Sequence, residues 1–428
     1  MSQVITAKKR RFTAIFQYQR NVYLLLLYSL GKGLQLSVAN ISINLYAYSL
    51  GYHSAFIGLL TGMPALGAII AAAPSGMLAD KLGRKPVIIL SAILTPLTLF
   101  ATALATNSYM LLIAQFANGL VSTAYWITQL PMLTESTGKE ERVGVMGVNF
   151  FILYGIGSAG SFIGGGIPEI ISHITGAAAT SVIPQRWGVI AAGVIPALLA
   201  IPLIWLKETN QRNNSSLSAE GVHEQTDETI KAATQSKWQI IGLFIMLLLP
   251  DIIFNIGESS VSGLIQLFLR LRFFLHPGEI GAMLSIIGAV GGISSLLSPQ
   301  ITRKFKMLRV LVILQYITIP CILLTGFSAT VLPAIGGEAI RRMILGALNP
   351  IYAVFVMEMV PQRMRATLSG MYGVTYGVGF SAGSAMAGYL QQNIGLSAPF
   401  TLGAACLLLA PTLLLLFFGK KAQQTAVS

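Results

Sequence analysis

Charged residues are scarce in this chain, which has 28 Lys and Arg and 15 Asp and Glu among 428 residues. They make up 10% of the sequence, against about 25% in a typical soluble domain. Cysteine occurs twice and histidine four times, without the spacing of a disulfide framework or of a metal-ligand set. We therefore expect neither a soluble domain nor a metal site. No nucleophile with a nearby base lies in the apolar segments, so we expect no enzymatic activity and no cofactor.

Hydrophobic residues are abundant instead, at 54% of the sequence. They concentrate in runs long enough to cross a bilayer as helices, which takes about 20 residues each. Twelve such runs predict an all-α membrane protein whose two chain ends lie on the same side. We number these predicted spans 1 to 12 along the chain: 22–48, 55–79, 86–106, 109–133, 143–167, 186–206, 238–265, 277–300, 307–329, 333–357, 365–390 and 397–419.

Positive charge is distributed unevenly over the connections between the predicted spans. Of the 28 Lys and Arg residues, 22 lie in the two termini, in the connections on the same side as the termini, or within the first turn of a span that follows such a connection. By the positive-inside rule, both termini are predicted to be cytoplasmic, in a protein of the plasma (cell) membrane. The net charge of +13 then indicates attraction to anionic membrane lipid rather than to nucleic acid.

One long polar stretch interrupts the apolar pattern, at residues 207–237. Its composition is typical of a mobile linker. It predicts a cytoplasmic connection between an N-terminal half, residues 1–206, and a C-terminal half, residues 238–428.

The two halves repeat each other at an offset of 223 residues. This offset aligns Gly58 with Gly281 and Gly165 with Gly388, and further matches gather in the connections after spans 4 and 10. Chance matches would not gather in this way, and internal repeats are common in transporter folds. The repeat predicts two pseudo-symmetric six-helix halves around a central cavity.

The stretch from Gly76 to Pro86, which contains the connection between spans 2 and 3, carries two glycines, an acid and three bases. The chain must reverse there in about six residues, with Gly83 supplying a positive φ angle and Pro86 opening the next helix. The residues Gly76-Met77-Leu78-Ala79-Asp80-Lys81-Leu82-Gly83-Arg84-Lys85-Pro86 resemble the signature loop of the major facilitator superfamily. That resemblance implies a twelve-helix transporter that moves a small organic solute by alternating access. We expect it to act as a monomer.

Charged residues at the terminus-side ends of the spans are candidates for a cytoplasmic gate. Arg84 is expected to pair with Glu135. Glu358, the repeat mate of Glu135, is expected to pair with a base in the connection after span 8. The resemblance also implies that Asp80 faces the start of span 11, where the helix dipole favours negative charge. The alternative to a gate is that these charges are solvated and contribute only to the orientation of the protein in the membrane. The candidate gate residues are Gly76, Asp80, Gly83, Arg84, Glu135, Arg142, Arg303, Glu358 and Arg365.

Polar side chains are densest on spans 1, 4, 7 and 10, which line the central cavity in the superfamily that the chain resembles. An ionisable group at the centre of a membrane helix costs about 2.5–3.5 kcal/mol on insertion scales, so each is a functional candidate. The candidate cavity and coupling residues are Lys32, Gln35, Asn118, Trp126, Gln129, Asp251, Asn255, Glu258, Glu338, Arg341, Arg342 and Asn349, with Tyr125, Tyr352, Tyr372 and Tyr376 as further solute contacts. Ordinary packing is the alternative for the aromatic residues.

This set contains three cations and three carboxylates, so the candidate cavity is formally neutral. Glu338 can pair with the arginines three and four residues later on its own helix. Lys32 can likewise pair with Asp251, without any solute. The competing hypothesis is that Asp251 or Glu258 takes up a proton and breaks an ion pair that holds one conformation.

Span 5 contains Gly155-x-Gly157-x-x-Gly160, the letters of a dinucleotide fingerprint, but inside an apolar helix with no preceding strand. Close helix packing is the favoured interpretation. The run also resembles the span 5 signature of superfamily antiporters, with Ile156 and Ser161 as departures. The glycines that match favour efflux, and the neutral cavity of aromatic rings, amides and balanced charges favours an amphipathic or zwitterionic compound. The proton gradient is the candidate energy source. The alternatives are proton-coupled or facilitated uptake of a nutrient such as a sugar or organic acid, and, in another class, a non-transporting membrane receptor or scaffold.

Overall fold

The computed structural model describes residues 20–137, 142–207, 237–295, 301, 306–360 and 365–424. Side chains are described in these ranges except at 142–144, 237–241, 357–358, 365–367, 369 and 420–424. In the described ranges the chain is helical apart from short connections, and it contains no strand. The predicted all-α architecture is confirmed.

Twelve helical segments in the described ranges, α1 to α12, correspond one to one with the predicted spans. Two of them are interrupted, α5 by a π-helical turn and α7 by a break at residues 263–264. Their bounds are α1 Arg20–Ser49, α2 Ser54–Leu82, α3 Arg84–Leu104, α4 Ser108–Glu135, α5 Arg142–Phe150 and Ala159–Thr175 around the π-helical turn Phe151–Ile156, α6 Val182–Ala200 followed by the 3-10 turn Ile201–Trp205, α7 Lys237–Ser262 and Ile265–Phe273, α8 Pro277–Ser294, α9 Met307–Phe327, α10 Val331–Glu358, α11 Arg365–Asn393 and α12 Ala398–Gln424.

Eleven of these segments are long and apolar enough to cross a membrane by length and composition. The exception is α11, which has 29 residues but carries many glycines and hydroxyl groups. It packs against α2 and α7, and Thr375, Ser381, Ser384 and Gln391 on it are buried. Much of its polar surface is therefore covered by protein rather than by lipid.

The two six-helix halves have the same internal packing. In the N-terminal half, α1 contacts α5 and α6, α4 contacts α2 and α3, and α3 contacts α6. Each contact recurs six helices later, where α7 contacts α11 and α12, α10 contacts α8 and α9, and α9 contacts α12. Apolar side chains fill the interior in four clusters. The predicted pseudo-symmetric halves are confirmed.

The halves meet through α2 with α11 and through α5 with α8. We call the side of the bundle that carries the chain termini the terminal side, and the other side the opposite side. On the opposite side, a methyl group added to Gly58 would lie 2.9 Å from the Cα of Gly388. A methyl group added to Gly281 would lie 2.9 Å from the Cα of Gly165. The 223-residue repeat exchanges these two contacts. We call the two glycine contacts, Gly58 with Gly388 and Gly165 with Gly281, the glycine seam. It closes the opposite side.

Hydrogen bonds at the break in α7 reinforce the seam. Asn44 Nδ2 of α1 donates to the carbonyl oxygen of Gly263 at 3.0 Å. Gln266 Nε2 donates in return to the carbonyl oxygen of Asn40 at 3.0 Å. The break frees the Gly263 carbonyl from helical bonding, which makes it available to the other half.

On the terminal side, the described parts of the two halves are apart. Methyl groups added at Gly76 near the end of α2, or at Gly370 and Gly373 near the start of α11, would have no atom within 4 Å. Asp80, one turn beyond Gly76, is exposed. The space between the halves therefore opens to the terminal side.

The reversal between α2 and α3 is tighter than the sequence predicts. α2 runs to Leu82 and α3 begins at Arg84, so the turn takes Gly83 alone rather than about six residues. Gly83 has a φ angle of +90°, which is the positive value predicted. Pro86 is the third residue of α3 rather than its first, and it lies in the first turn, where a missing N–H loses no helical hydrogen bond.

Two predicted boundaries lie outside the described residues. The predicted end of span 8 at 300 follows the described end of α8 at Ser294. The predicted linker falls almost wholly on 208–236, of which the structure describes nothing. The division into 1–206, 207–237 and 238–428 stays a prediction.

Candidate solute and coupling site

Four charged side chains of α7 and α10 form one buried ion network. Arg341 is 0% exposed, and its Nε and Nη2 donate to the two carboxylate oxygens of Glu338 at 2.8 and 2.6 Å. Its Nη1 donates to Glu258 on α7. Arg342 Nε adds a 3.0 Å hydrogen bond to Glu338. Two cations and two carboxylates therefore neutralise each other, and the local pairing considered for Glu338 is present.

One edge of this network reaches the space between the halves. The side chains of Glu258 and Arg342 are partly exposed, whereas those of Glu338 and Arg341 are buried. Tyr376 of α11, which is exposed, lies within electrostatic range of both Glu258 and Arg342. A solute in this space could contact the partly exposed carboxylate and guanidinium without displacing the Arg341–Glu338 pair.

Asp251 on α7 is a second buried carboxylate, with different surroundings. Thr375 Oγ1 of α11 donates to it at 2.5 Å, and the phenol groups of Tyr352 and Tyr372 lie beside it. In the described part of the chain, no Lys or Arg forms an ion pair with Asp251. The Lys32–Asp251 pair considered from the sequence is therefore not formed, because each of these groups packs within its own half.

Lys32 on α1 is fully buried, and its Nζ has no hydrogen-bond partner among the described residues. The Nζ lies 5.6 Å from the centroid of the Tyr125 ring. One turn along α1, the Oε1 of Gln35 is also buried and without a partner in the described structure. The N-terminal half thus holds a buried amino group that has no hydrogen-bond partner among the described residues, whereas the C-terminal half holds a neutralised network.

Two predicted cavity residues of α4 already use their donors within the N-terminal half. Asn118 Nδ2 donates to Thr98 Oγ1 of α3 at 2.8 Å. Gln129 Nε2 donates to Ser29 Oγ of α1 at 2.9 Å and to Asn149 Oδ1 of α5 at 2.8 Å. Both side chains are buried, so they brace neighbouring helices in this conformation.

The remaining predicted cavity residues divide between exposed and buried positions. Trp126 is 41% exposed and packs edge to face on Tyr125, with 5.1 Å between ring centroids. Asn349 is exposed. Asn255 is buried, and its Nδ2 donates to the backbone carbonyl of Asp251 at 2.8 Å. Of these three, Trp126 and Asn349 have surface available to a solute.

The sequence analysis missed two aromatic residues of α5. Phe150 and Tyr154 stack with 6.2 Å between ring centroids, and both are exposed. Tyr154 lies within electrostatic range of Tyr125 in its own half and of Tyr376 in the other. It belongs to the π-helical turn, whose extra residue per turn redirects side chains. An apolar run gives no sequence signal for such a turn.

Arg84 and Glu135 form an ion pair. The pair joins the start of α3 to the end of α4 within the N-terminal half, so it does not link the two halves in this conformation. Asp80 is exposed, and in the described part of the chain it forms no ion pair with Arg84. The roles predicted for these residues in a gate stay predictions. Four further candidate gate residues lie outside the described side chains: Arg142, Arg303, Glu358 and Arg365.

Neutralising either member of this pair is expected to lower the free energy of unfolding. Both side chains are partly exposed, so the coupling energy between Arg84→Gln and Glu135→Gln should be only about 0.5–1 kcal/mol. Chemical unfolding of the two single variants and the double variant in detergent micelles measures it, and high salt should weaken it. Strict additivity of the two single effects would contradict the contact.

In the described ranges, no group of three or more His, Cys, Asp and Glu residues is placed to hold a metal ion. Cys321 and Cys406 are both free thiols.

Two pseudo-symmetric six-helix halves, in contact on one side and apart on the other, with buried charged groups within each half, define the fold of a membrane transporter. The sequence profile of the Major Facilitator Superfamily matches residues 25–384. This chain belongs to the major facilitator superfamily, whose members carry small solutes across membranes, and it is an integral membrane protein.

Curated relatives are named for different small molecules. The chain is 22% identical over 325 residues to the tetracycline resistance protein, class H, of Pasteurella multocida, covering 74% of this chain and 76% of that protein. It is 24% identical over 253 residues to the glucose transporter GlcP of Staphylococcus epidermidis, covering 55% of this chain. The latter match spans 53% of GlcP, about half of that protein's length.

Solved structures with the same fold cover nearly the whole chain. A bacterial homolog of the human lysosomal transporter Spinster, in an inward-facing and occupied conformation, superposes with a TM-score of 0.74 at 16% identity, covering 92% of this chain and 95% of that one. The inward-open xylose transporter XylE from E. coli gives a TM-score of 0.74 at 13% identity, covering 93% and 96%. At these identities the likeness establishes the fold alone.

Proposed function

We propose that this protein is a secondary active transporter that moves a small organic solute by alternating access. The observation that carries the proposal is the asymmetry of the contacts between the halves. The glycine seam closes the opposite side, while the same helices, α2 with α11, are apart on the terminal side. Because the two halves are pseudo-symmetric, rocking them about the buried charged groups would exchange the closed side for the open one.

We infer that the terminal side is cytoplasmic and that the protein lies in the plasma membrane. The excess of Lys and Arg in the termini and terminal-side connections supports this orientation. The conformation described would then be inward-facing, as in the Spinster homolog and XylE structures named above. The site lies between the halves of one chain, which supports a monomer as the working unit, surrounded by lipid.

The favoured solute class is an amphipathic or zwitterionic organic compound, and the favoured direction is efflux. Exposed rings of Trp126, Tyr154 and Tyr376 offer apolar contact area, and partly exposed Glu258 and Arg342 offer one charge of each sign. The relative named for tetracycline resistance supports efflux. The alternative is uptake of a sugar or organic acid, which the likeness to glucose and xylose transporters supports.

Asp251 is the better of the two candidate proton carriers. Glu258 is neutralised by Arg341, so protonating it would break an ion pair and leave a buried guanidinium with less compensation. Asp251 has only hydroxyl and amide neighbours among the described residues, Thr375 Oγ1 being the bonded one. Its proton can therefore come and go without stranding a buried cation.

Asp251→Asn is expected to make transport independent of an imposed pH gradient. In antiport, acid on the opposite side drives solute out of the terminal side, and in symport it drives solute toward the terminal side. With a permanently neutral amide, gradient-driven transport should fall at least about tenfold, while solute exchange without a gradient should change by about twofold or less. Proteoliposomes with pH gradients of either sign measure both quantities.

Glu258→Gln is the matched control for this experiment. It should weaken solute binding and lower stability, because it removes a partner of Arg341, but the response to the pH gradient should remain. An unchanged gradient response in Asp251→Asn, or its loss only in Glu258→Gln, would show that Asp251 is not the proton carrier.

A ligand panel followed by flux tests the proposed function itself. Thermal shifts of the purified protein with tetracycline, glucose, xylose and benzoate would identify a bound compound, and flux of that compound into proteoliposomes would then be measured. Transport across the membrane is the expected result. A compound that binds with no flux under any imposed gradient would instead indicate the receptor or scaffold alternative.

A further inference from the structure

We propose that Lys32 is the cationic part of an anion subsite that takes the carboxylate of an amphipathic or zwitterionic solute. The inference rests on the proposed transport function and specifies the solute class. Its central observation is a fully buried ammonium group that is left without any hydrogen-bond partner in the described structure.

An uncompensated ammonium is costly inside a membrane protein, because burial removes its hydration. The face of the Tyr125 ring, 5.6 Å from the Nζ, offsets only part of that loss. Between residues 21–49 of α1 and 108–134 of α4, the sequence has no other Lys and no Arg, Asp or Glu. Lys32 therefore has no counter-ion on its own helix. On α4, whose Tyr125 ring it faces, the one acid is Glu135 at the end of the helix, which pairs with Arg84.

The contrast with Arg341 shows that this arrangement is specific to Lys32. Arg341 is equally buried, and its guanidinium is bonded to Glu338 and Glu258. The chain thus neutralises one buried cation internally and leaves the other without an anion. A counter-ion that arrives with the solute would complete the second site.

The position of Lys32 on α1 connects it to the space between the halves. Leu36 and Asn40 lie one and two turns further along the same face, and both are exposed. Trp126, also exposed, packs on the ring of Tyr125. A movement of the Trp126 side chain would open a path to the Lys32 ammonium.

Gln35 indicates what else the solute carries. Its Oε1 is an unpartnered acceptor one turn from the unpartnered donor of Lys32, and the two atoms do not bond each other. A carboxylate with a neighbouring hydroxyl or N–H group would satisfy both. The aromatic rings of Tyr125 and Trp126 suit an aromatic or otherwise apolar body attached to that carboxylate.

Binding of benzoate and of benzamide to the purified full-length protein tests this subsite, because the two probes have the same shape and differ in charge. The wild-type protein should bind benzoate at least about tenfold more tightly than benzamide. Lys32→Gln should remove this discrimination, whereas Lys32→Arg should retain most of it. Lys207→Gln, at an exposed position, is the control for loss of a positive charge.

Gln35→Glu is a second, independent variant. It places a carboxylate on the chain beside Lys32, so it should raise the melting temperature and weaken benzoate binding about tenfold, with benzamide binding unchanged. Equal binding of the two probes to the wild-type protein, discrimination retained in Lys32→Gln, or full benzoate affinity in Gln35→Glu would each overturn the proposal.

The binding readout separates this proposal from the proposed function. Charge-dependent binding without flux would contradict transport and leave the subsite intact. Flux without charge-dependent binding at Lys32 would overturn the subsite alone.

Discussion

Gly165→Val is expected to reduce transport at least about fivefold by preventing closure of the opposite side. A methyl group on Gly165 would lie 2.9 Å from the Gly281 Cα, and closer still to the Pro277 carbonyl oxygen. Those atoms belong to the backbone of α8, so they cannot rotate away as a side chain could. Overpacking of this kind costs about 1–3 kcal/mol, which corresponds to a change of roughly 5- to 150-fold in the population of the closed state.

Gly166→Val is the matched control, because the adjacent glycine has no atom within 4 Å of an added methyl group. It carries the same change in helix propensity and should transport at close to the normal rate. Gly58→Val, at the pseudo-symmetric contact with Gly388, should reproduce the loss. Flux per folded molecule in proteoliposomes measures all three. Equal activity of the Gly165 and Gly166 variants would show that the glycine seam need not close during transport.

Arg341→Leu is expected to cause the largest loss of stability of any single substitution considered. It leaves buried Glu338 and partly exposed Glu258 near each other with one fewer cation. Breaking a buried ion pair by removing one partner costs roughly 3–5 kcal/mol. Unfolding in detergent, followed by thermal shift or chemical denaturation, measures the loss. Arg342 bonds to the same Glu338 from a partly exposed position, so Arg342→Gln should cost only about 1 kcal/mol.

A neutralised triple variant separates charge from packing at this site. Replacing Arg341 by Leu together with Glu258→Gln and Glu338→Gln removes the uncompensated carboxylates, and it should recover much of the stability lost by Arg341→Leu alone. If the triple variant is no more stable than the single one, shape rather than charge governs the network.

Local features of the structure could be predicted from the sequence because they depend on residues that are close together in the chain. Gly83 has the predicted positive φ angle, since a tight reversal between two helices admits few other residues. The repeat mates Gly58 and Gly281 do occupy equivalent positions, one against Gly388 and the other against Gly165. The pairing of Glu338 with the following arginines was also accessible, because it depends only on helical spacing.

Features that depend on packing between helices could not be predicted. The sequence is compatible with a Lys32–Asp251 pair. In the structure Asp251 accepts a hydrogen bond from Thr375, and Lys32 Nζ has no hydrogen-bond partner among the described residues. The sequence analysis predicted Asn118 as a solute contact, but its side-chain amide donates a hydrogen bond to Thr98 of a neighbouring helix. The π-helical turn that carries Tyr154 cannot be recognised from the spacing of apolar residues. In each case the deciding partner is distant in the chain.

Two spin-label distances, measured in a cysteine-free background, test alternating access most directly. Labels at Thr106 and Ala329, which are exposed repeat mates on the opposite side, report its opening, and labels at Leu82 and Lys306 report the terminal side. Relative to the parent protein, Gly165→Val should lengthen the first distance and shorten the second. Distances that both stay unchanged, or that both lengthen, would contradict a mechanism in which one side closes as the other opens.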